Sequence, residues 1–397
     1  MDIDVAAWLN LVLRWLHLIA GIAWIGSSFY FIWLDNHLRK NTDTPEGVAG
    51  SLWAVHGGGF YHKEKYLVAP AHLPAELHWF KWEAYTTWIS GFFLLILIYY
   101  WGATLYLIDP AKLAWSPGQA SAAGLGFLIG GWLVYDRLCR SPIGRDNALF
   151  GVIWFAILTA GAYFATRIFS DRGAFIHVGA VIGTVMAANV FMVIIPNQKK
   201  MVAAMLAGET PDAALGIRAK QRSLHNNYMT LPVLFIMISG HYPMTFSGPW
   251  NWAVLAGLGA VGWMVRHFFN LRHKGRTRYD LAAAAVAGFL GVALVTSLAR
   301  RGPEEAGAEK ADFAAVRAII ARHCLACHSA QPSHPAFDVA PMGLAFDTAE
   351  EIRAAAPRIK AQTVDSTAMP LSNETGMSAA ERRLIGRWVE AGAKVGP

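Results

Sequence analysis

Long apolar stretches separated by short polar ones fill the first three quarters of the chain. A helix rises about 1.5 Å per residue, so about 20 apolar residues span the hydrocarbon core of a bilayer. Stretches of that length occur near 6–34, 82–108, 119–137, 148–168, 174–196, 228–247, 249–269 and 280–299. They predict eight transmembrane helices within residues 1–300. Beyond them the pattern changes. Residues 301–310, rich in Gly and Glu, read as a linker, and 311–397 reads as a small domain. In that domain Phe313, Val316, Ile319 and Ile320 recur at helical spacing, as do Leu384, Ile385, Trp388 and Val389 near the end. The expected fold class is all-α: an eight-helix transmembrane bundle followed by a small helical domain.

Composition strengthens that reading. Of the 397 residues 55% are hydrophobic, 12% aromatic and only 15% charged, which excludes an ordinary soluble protein. The basic residues are distributed unevenly. Between the first and second stretches lie Arg39, Lys40, Lys63, Lys65 and Lys81, and between the third and fourth lie Arg137, Arg140 and Arg145. Lys199, Lys200, Arg218, Lys220 and Arg222 follow the fifth; Arg266, Arg272, Lys274, Arg276 and Arg278 follow the seventh. The alternate loops carry only Lys112, Arg167 and Arg172. Cytoplasmic loops collect Lys and Arg, so both termini are expected outside the cytoplasm, on the periplasmic side of a bacterial inner membrane. The net charge of +7 then marks membrane orientation rather than a nucleic-acid surface. The first apolar stretch is too long for a cleaved signal peptide.

Three cysteines are present. Cys139 has no evident partner, whereas Cys324-Leu-Ala-Cys327-His328 is the c-type haem attachment signature. Its two thiols form thioethers with the porphyrin and the adjacent imidazole supplies an axial nitrogen. A covalent haem c in a class I-like cytochrome c domain over 311–397 is therefore expected. Attachment occurs outside the bacterial cytoplasm, in agreement with the charge pattern. Met369, in a loop-like Ala-Met-Pro-Leu context, is the expected sixth ligand, with Met377 and Met342 as rivals and core filling as the ordinary role of any Met.

Weak matches in the same order suggest a repeat of four helices plus four. His17-x3-Gly21 with Asn36 resembles His177-x-Gly179-x3-Gly183 with Asn197; Leu77-His78 to Gly91 resembles Leu224-His225 to Gly240; Trp132-x-Val134 resembles Trp263-x-Val265. The histidines then fall into pairs at two depths. His17 and His177 are candidates for a non-covalent haem b iron, with His241 and Tyr242 as alternatives and interhelical hydrogen bonding as the bland role. His78 and His225 are expected near the cytoplasmic mouth.

The segment between the first two stretches has an unusual composition: Trp53, His56, Gly57-Gly-Gly59, Tyr61, His62, Lys65 and Tyr66, then His72, His78, Lys81, Glu83 and Tyr85. Three glycines allow close backbone approach to a ligand, aromatic rings offer stacking faces, and His, Lys and Glu offer proton transfer and charge. A planar anion making several hydrogen bonds would suit such a mouth. Glu83 could instead pair with Lys81 or Arg266. Arg218, Arg222, His225, Asn226 and Asn227 enter the same face.

Taken together, Trp15-Leu-His17-x3-Gly21-x2-Trp24-Ile-Gly-Ser-Ser-Phe-Tyr30, the Gly57–Gly59 segment, Leu77-His-Trp-Phe-Lys-Trp-Glu-Ala-Tyr85, Ser223-Leu-His-Asn-Asn-Tyr-Met-Thr-Leu-Pro232, Cys324–His328 and Met369-Pro-Leu carry a resemblance. Over its whole length the chain resembles the bacterial membrane-bound urate hydroxylase (urate oxidase) family, with its C-terminal cytochrome c domain. The resemblance implies oxidation of urate to 5-hydroxyisourate in purine breakdown. Electrons would pass through haem c toward a cytochrome c or a terminal oxidase, with oxygen not the direct oxidant. His56, His62, His78, Glu83 and His225 are the expected substrate-side residues. Two other readings fit a membrane bundle with a redox tail: a non-enzymatic relay from quinol to cytochrome c, and a transporter.

Overall fold

The computed structural model describes residues 5–70, 72–299 and 312–396. Eight long helices occupy the first three quarters: α1 Val5–His37, α2 Trp82–Tyr100, α3 Pro117–Arg140, α4 Asn147–Ile168, α5 Asp171–Leu206, α6 Ala213–Ser239, α7 Asn251–His273 and α8 Tyr279–Ala299. All of these except α3 and α6 are long and apolar enough to cross a membrane, six helices in all. Glycines dilute the apolar content of α3, and the first half of α6 carries Arg218, Lys220, Arg222 and His225. The linker expected over 301–310 lies outside the described residues.

Local chemistry sets the boundaries. Ser116 caps α3 in a reciprocal box with Gln119, and Pro117 occupies the first turn, where its missing N–H costs nothing. Asp146, Ser170 and Asp212 accept first-turn N–H groups of α4, α5 and α6. The second apolar stretch, expected to run to 108, stops at Tyr100; Gly102 breaks it, and a single turn, Ala103–Tyr106, follows. The sixth, expected over 228–247, instead runs from Ala213 to Ser239, with a separate turn at Pro243–Phe246. Pro196 cannot donate to the i−4 carbonyl, and the π-helical turn Asn189–Ile194 immediately before it absorbs the mismatch within α5.

The segment between α1 and α2 is not the irregular loop that an all-α chain would have. It is an antiparallel hairpin, β1 Val48–His56 and β2 Gly59–Tyr66, with His56 paired to Gly59. Gly57 and Gly58 both have positive φ (57° and 79°), so they form the two-residue turn whose twist matches paired strands. No protein atom lies within 4 Å of where a side chain would start at either position, so it is the turn's backbone conformation that requires glycine there.

The main hydrophobic cluster is centred on α5, with Phe175, Val181, Ile182 and Val185 meeting Leu128 and Tyr135 of α3, Phe150 and Trp154 of α4 and Ile236 of α6. Helices α1 and α8 instead expose most of their apolar side chains, as a lipid-facing surface must. Exposed Trp8, Trp101 and Trp250 mark one end of the helices and Trp82 the other, matching the aromatic belts of membrane proteins. The four-plus-four repeat is not matched throughout: α7 and α8 pack closely, whereas α3 and α4 scarcely touch.

The C-terminal unit has its own core. Helices α9 Phe313–His323, α10 Ala349–Lys360 and α11 Ala379–Glu390 surround Ile320, Ile352, Ile385 and Trp388. It meets the bundle at the end of α2 away from the hairpin: Ser372 Oγ donates to Leu105 O at 2.7 Å, and Ala368 packs against the bundle's cluster.

Candidate functional site

Helix α6 delivers polar side chains into the bundle on two sides. On one, Tyr135 stands between Asn189 and His225. Asn189 Nδ2 donates to Tyr135 Oη at 2.9 Å, so the hydroxyl proton goes to His225 Nδ1 at 2.8 Å. His225 is then protonated on Nε2, which faces Asn147 Oδ1 at 3.3 Å. Asn189 also donates to Asn226 Oδ1 (2.8 Å) and accepts from Arg222 Nη1 (3.2 Å). Arg222 pairs with Asp136 at 2.7 Å, Arg140 grips the other oxygen of that carboxylate at 2.7 Å, and Asn226 Nδ2 closes the chain on Met186 O. His225 stacks on Phe150 with ring centroids 4.2 Å apart. Among the described residues, no buried side-chain nitrogen or oxygen of this network lacks a partner.

The other side is different. Asn227 Oδ1 accepts from Arg266 Nε at 2.9 Å and from Asn270 Nδ2 at 3.0 Å. Asn227 Nδ2, Arg266 Nη2 and Asn270 Oδ1 are left buried and unpaired. The Arg266 guanidinium lies 3.9 Å from the centroid of the Phe29 ring. Two turns along α7 from Arg266, His273 has an unpartnered buried Nδ1, and its ring is 5.3 Å from that of His37. Nearby on the same helices, Tyr228 Oη and His267 Nδ1 are 2.7 Å apart, at the edge of an apolar cleft of about 500 Å³ between α4, α6 and α7.

The expected substrate-side residues are not brought together. His56 and His62 sit exposed on the hairpin, the latter tilted against Trp53 with ring centroids 4.6 Å apart. His78, expected to mirror His225, precedes α2 and meets Phe80, whereas His225 is buried well inside α6. Glu83 opens α2 half-buried, and neither ion pair considered for it, to Lys81 or to Arg266, is present among the described residues.

His17 and His177 each turn Nδ1 to a backbone carbonyl, Thr87 O at 2.9 Å and Gly173 O at 2.8 Å, which leaves Nε2 outward. They are nevertheless engaged at different levels. His17 lies against Gly91 of α2, while His177 Nε2 is 3.3 Å from the Tyr100 hydroxyl and its ring stacks on Phe169 at 4.8 Å. Gly91 and Tyr100 are nine positions apart on one helix, roughly 13 Å of rise. The two imidazoles thus meet α2 at different levels, each with Nδ1 committed to a backbone carbonyl.

In the C-terminal unit the attachment residues do fit their expected group. Cys324 ends α9, Cys327 follows half-buried, and both thiols are free; burial pushes the Cys324 thiol up to about 12. His328 Nδ1 donates to Leu344 O at 2.9 Å and the ring stacks on Phe346 at 4.8 Å, which fixes the tautomer that leaves Nε2 with a free lone pair. The three methionines separate cleanly. Met377 is core, 2% exposed; Met342 is 91% exposed; Met369 is half-buried in a loop held by its N–H to Gln362 O and by Arg382 Nη1 to its carbonyl.

Sequence reading missed Tyr135, Asp136, Asn189, Arg266 and Asn270 as members of these networks. The available signal was ionisable and amide side chains within otherwise apolar helices. Comparison with known families matches residues 4–297 to the model described as urate oxidase N-terminal. No curated protein and no solved structure matches the chain.

Proposed function

The chain belongs to the urate oxidase N-terminal family, and we propose on that premise that it is a membrane-bound oxidoreductase converting urate to 5-hydroxyisourate. The eight long helices would form the transmembrane bundle, with the hairpin and its basic loops in the cytoplasm and the C-terminal unit in the periplasm. One observation supports the electron route above the others: His328 is already pinned through Nδ1 beside two free thiols spaced for thioether formation. Cys324, Cys327, His328 and Met369 would hold haem c, which supplies one-electron acceptance when bound.

Urate at neutral pH is a planar monoanion. With one water it yields 5-hydroxyisourate, one proton and two electrons, the new C–O bond forming at C5. The bundle must therefore bind an anion, stack a ring and accept a proton. Cationic and amide donors lie buried around the middle of α6 and near the hairpin-side end of α7. His56, His62, His78 and Glu83 offer proton acceptors open to water on that face, whereas both ring nitrogens of His225 are engaged, Nδ1 by Tyr135 and Nε2 by Asn147. The electrons leave toward the opposite end, where the C-terminal unit meets the bundle.

Urate added without oxygen to the purified full chain is expected to bring up the reduced haem c band. Reduction by quinol but not by urate would instead establish the non-enzymatic relay. Hydrogen peroxide formed in step with urate loss would overturn the claim that oxygen is not the direct oxidant.

A further inference from the structure

Buried polar atoms without partners are uncommon in native proteins, because each forfeits its hydration without compensation. Among the described residues seven such side-chain atoms occur, and four lie on Asn227, Arg266, Asn270 and His273. This concentration, at the hairpin-side end of α7 and the facing middle of α6, calls for a chemical reason. Three of the four surround a single amide. Arg266 Nε and Asn270 Nδ2 both donate to Asn227 Oδ1, and each orphan atom, Arg266 Nη2, Asn227 Nδ2 and Asn270 Oδ1, is two covalent bonds from an atom of that junction. Asn227 is fully buried, and Arg266 and Asn270 are 4% and 5% exposed, so bulk water does not serve them.

What remains unsatisfied is two N–H donors, one carbonyl acceptor and a positive charge beside an aromatic ring, Phe29. Each simpler ligand fails one requirement. A metal cation is repelled by Arg266. A halide or carboxylate anion would take the donors and leave Asn270 Oδ1 unpaired, since neither brings a proton to give, and a phosphate carries in part a second negative charge that the single guanidinium does not balance. A ring anion carrying both C=O and N–H along one edge satisfies all three atoms and the charge.

We propose that Asn227, Arg266 and Asn270 form the binding site for the oxopurine edge of the substrate, with Phe29 backing the Arg266 guanidinium. The assignment rests on the urate reading above and adds to it the residues that recognise the ring. Arg266 Nη2 and Asn227 Nδ2 donate to carbonyl oxygens of the bound anion, and Asn270 Oδ1 accepts a ring N–H. Because α7 ends at His273, Arg266 lies about 10 Å inside that end.

The test uses the full chain with its haem in detergent, urate for kinetics and 8-azaxanthine, a planar oxopurine-like anion, for binding. Arg266→Gln is expected to raise the urate KM and the 8-azaxanthine Kd at least tenfold. Asn270→Asp puts a carboxylate where the anion would sit yet can pair with Arg266, so it should fold, keep a dithionite-reducible haem c band and lose affinity at least as severely. If Arg266→Gln does not fold, Asn270→Asp decides alone. KM and Kd within twofold of the wild type in the folded variants would overturn the assignment and leave only a trapped water at these atoms. A wild-type chain that fails to oxidise urate removes the functional reading itself, whereas normal wild-type turnover with unaffected variants removes the site alone.

Discussion

Asn226 and Asn227 are neighbours on α6, turned about 100° apart around the helix, and they belong to opposite kinds of polar cluster. Asn226 joins a network in which Tyr135, Asp136, Asn189, Arg222 and His225 satisfy one another. Asn227 joins Arg266 and Asn270, which leave three atoms unpaired at one junction. In a membrane-embedded bundle, polar groups that saturate one another act as architecture. Groups held in place but left unpaired cost stability, and they persist where a ligand completes them.

The contrast can be broken most directly at the two buried arginines. Arg222→Gln strips Asp136, 13% exposed, of its buried partner and leaves only Arg140, itself 71% exposed. Breaking a buried pair from one side costs about 3–5 kcal/mol, so thermal unfolding should show a large loss, well beyond that of Arg266→Gln. Equal losses would erase the distinction. Next in size, Tyr135→Phe removes the hydroxyl shared by Asn189 and His225 and should cost about 1–3 kcal/mol in the same measurement, because two groups are orphaned at once.

Asn270→Leu sharpens the comparison from the other side. It deletes an amide whose carbonyl is already unpaired, so stability should change by less than about 1 kcal/mol while urate KM rises. A loss as large as that of Tyr135→Phe would place Asn270 among the architectural residues.

The smallest effect lies outside the bundle, in a capping box that serves as a control. The backbone N–H and hydroxyl of Ser378, with a smaller contribution from His323, hold the Glu381 carboxyl down to about 2 from 4.5. A value lower in the folded state than in the unfolded one means that this stabilisation is complete above about pH 4.5 and disappears as pH falls through about 2. Glu381→Gln should flatten that part of the acid-unfolding curve of the haem c band and leave urate binding unchanged.

Most of the fold was legible because bilayer-length apolar stretches leave few alternatives. All eight long helices overlap the apolar stretches, but α2 stops at 100 rather than 108, and α6 runs from 213 to 239 rather than from 228 to 247. Its first half carries Arg222, His225, Asn226 and Asn227, polar side chains that a hydropathy reading assigns to water but that here face protein. The hairpin was hidden for a related reason: β2, Gly-Phe-Tyr-His-Lys-Glu-Lys-Tyr, buries no complete face and so has no apolar alternation. Cys324, Cys327 and His328 could be read as a unit because they are contiguous. Arg266 and Asn270 could not, because their meaning depends on Asn227, some forty positions away, and on which of its atoms are left unpaired.

The account turns on electrons leaving the bundle through the C-terminal attachment site. The direct measurement is anaerobic urate consumption by the purified chain with added oxidised cytochrome c, compared between wild type and Cys324→Ser/Cys327→Ser. Turnover in the wild type and its collapse in the double variant are the expected result. Undiminished urate oxidation by the variant would contradict the account.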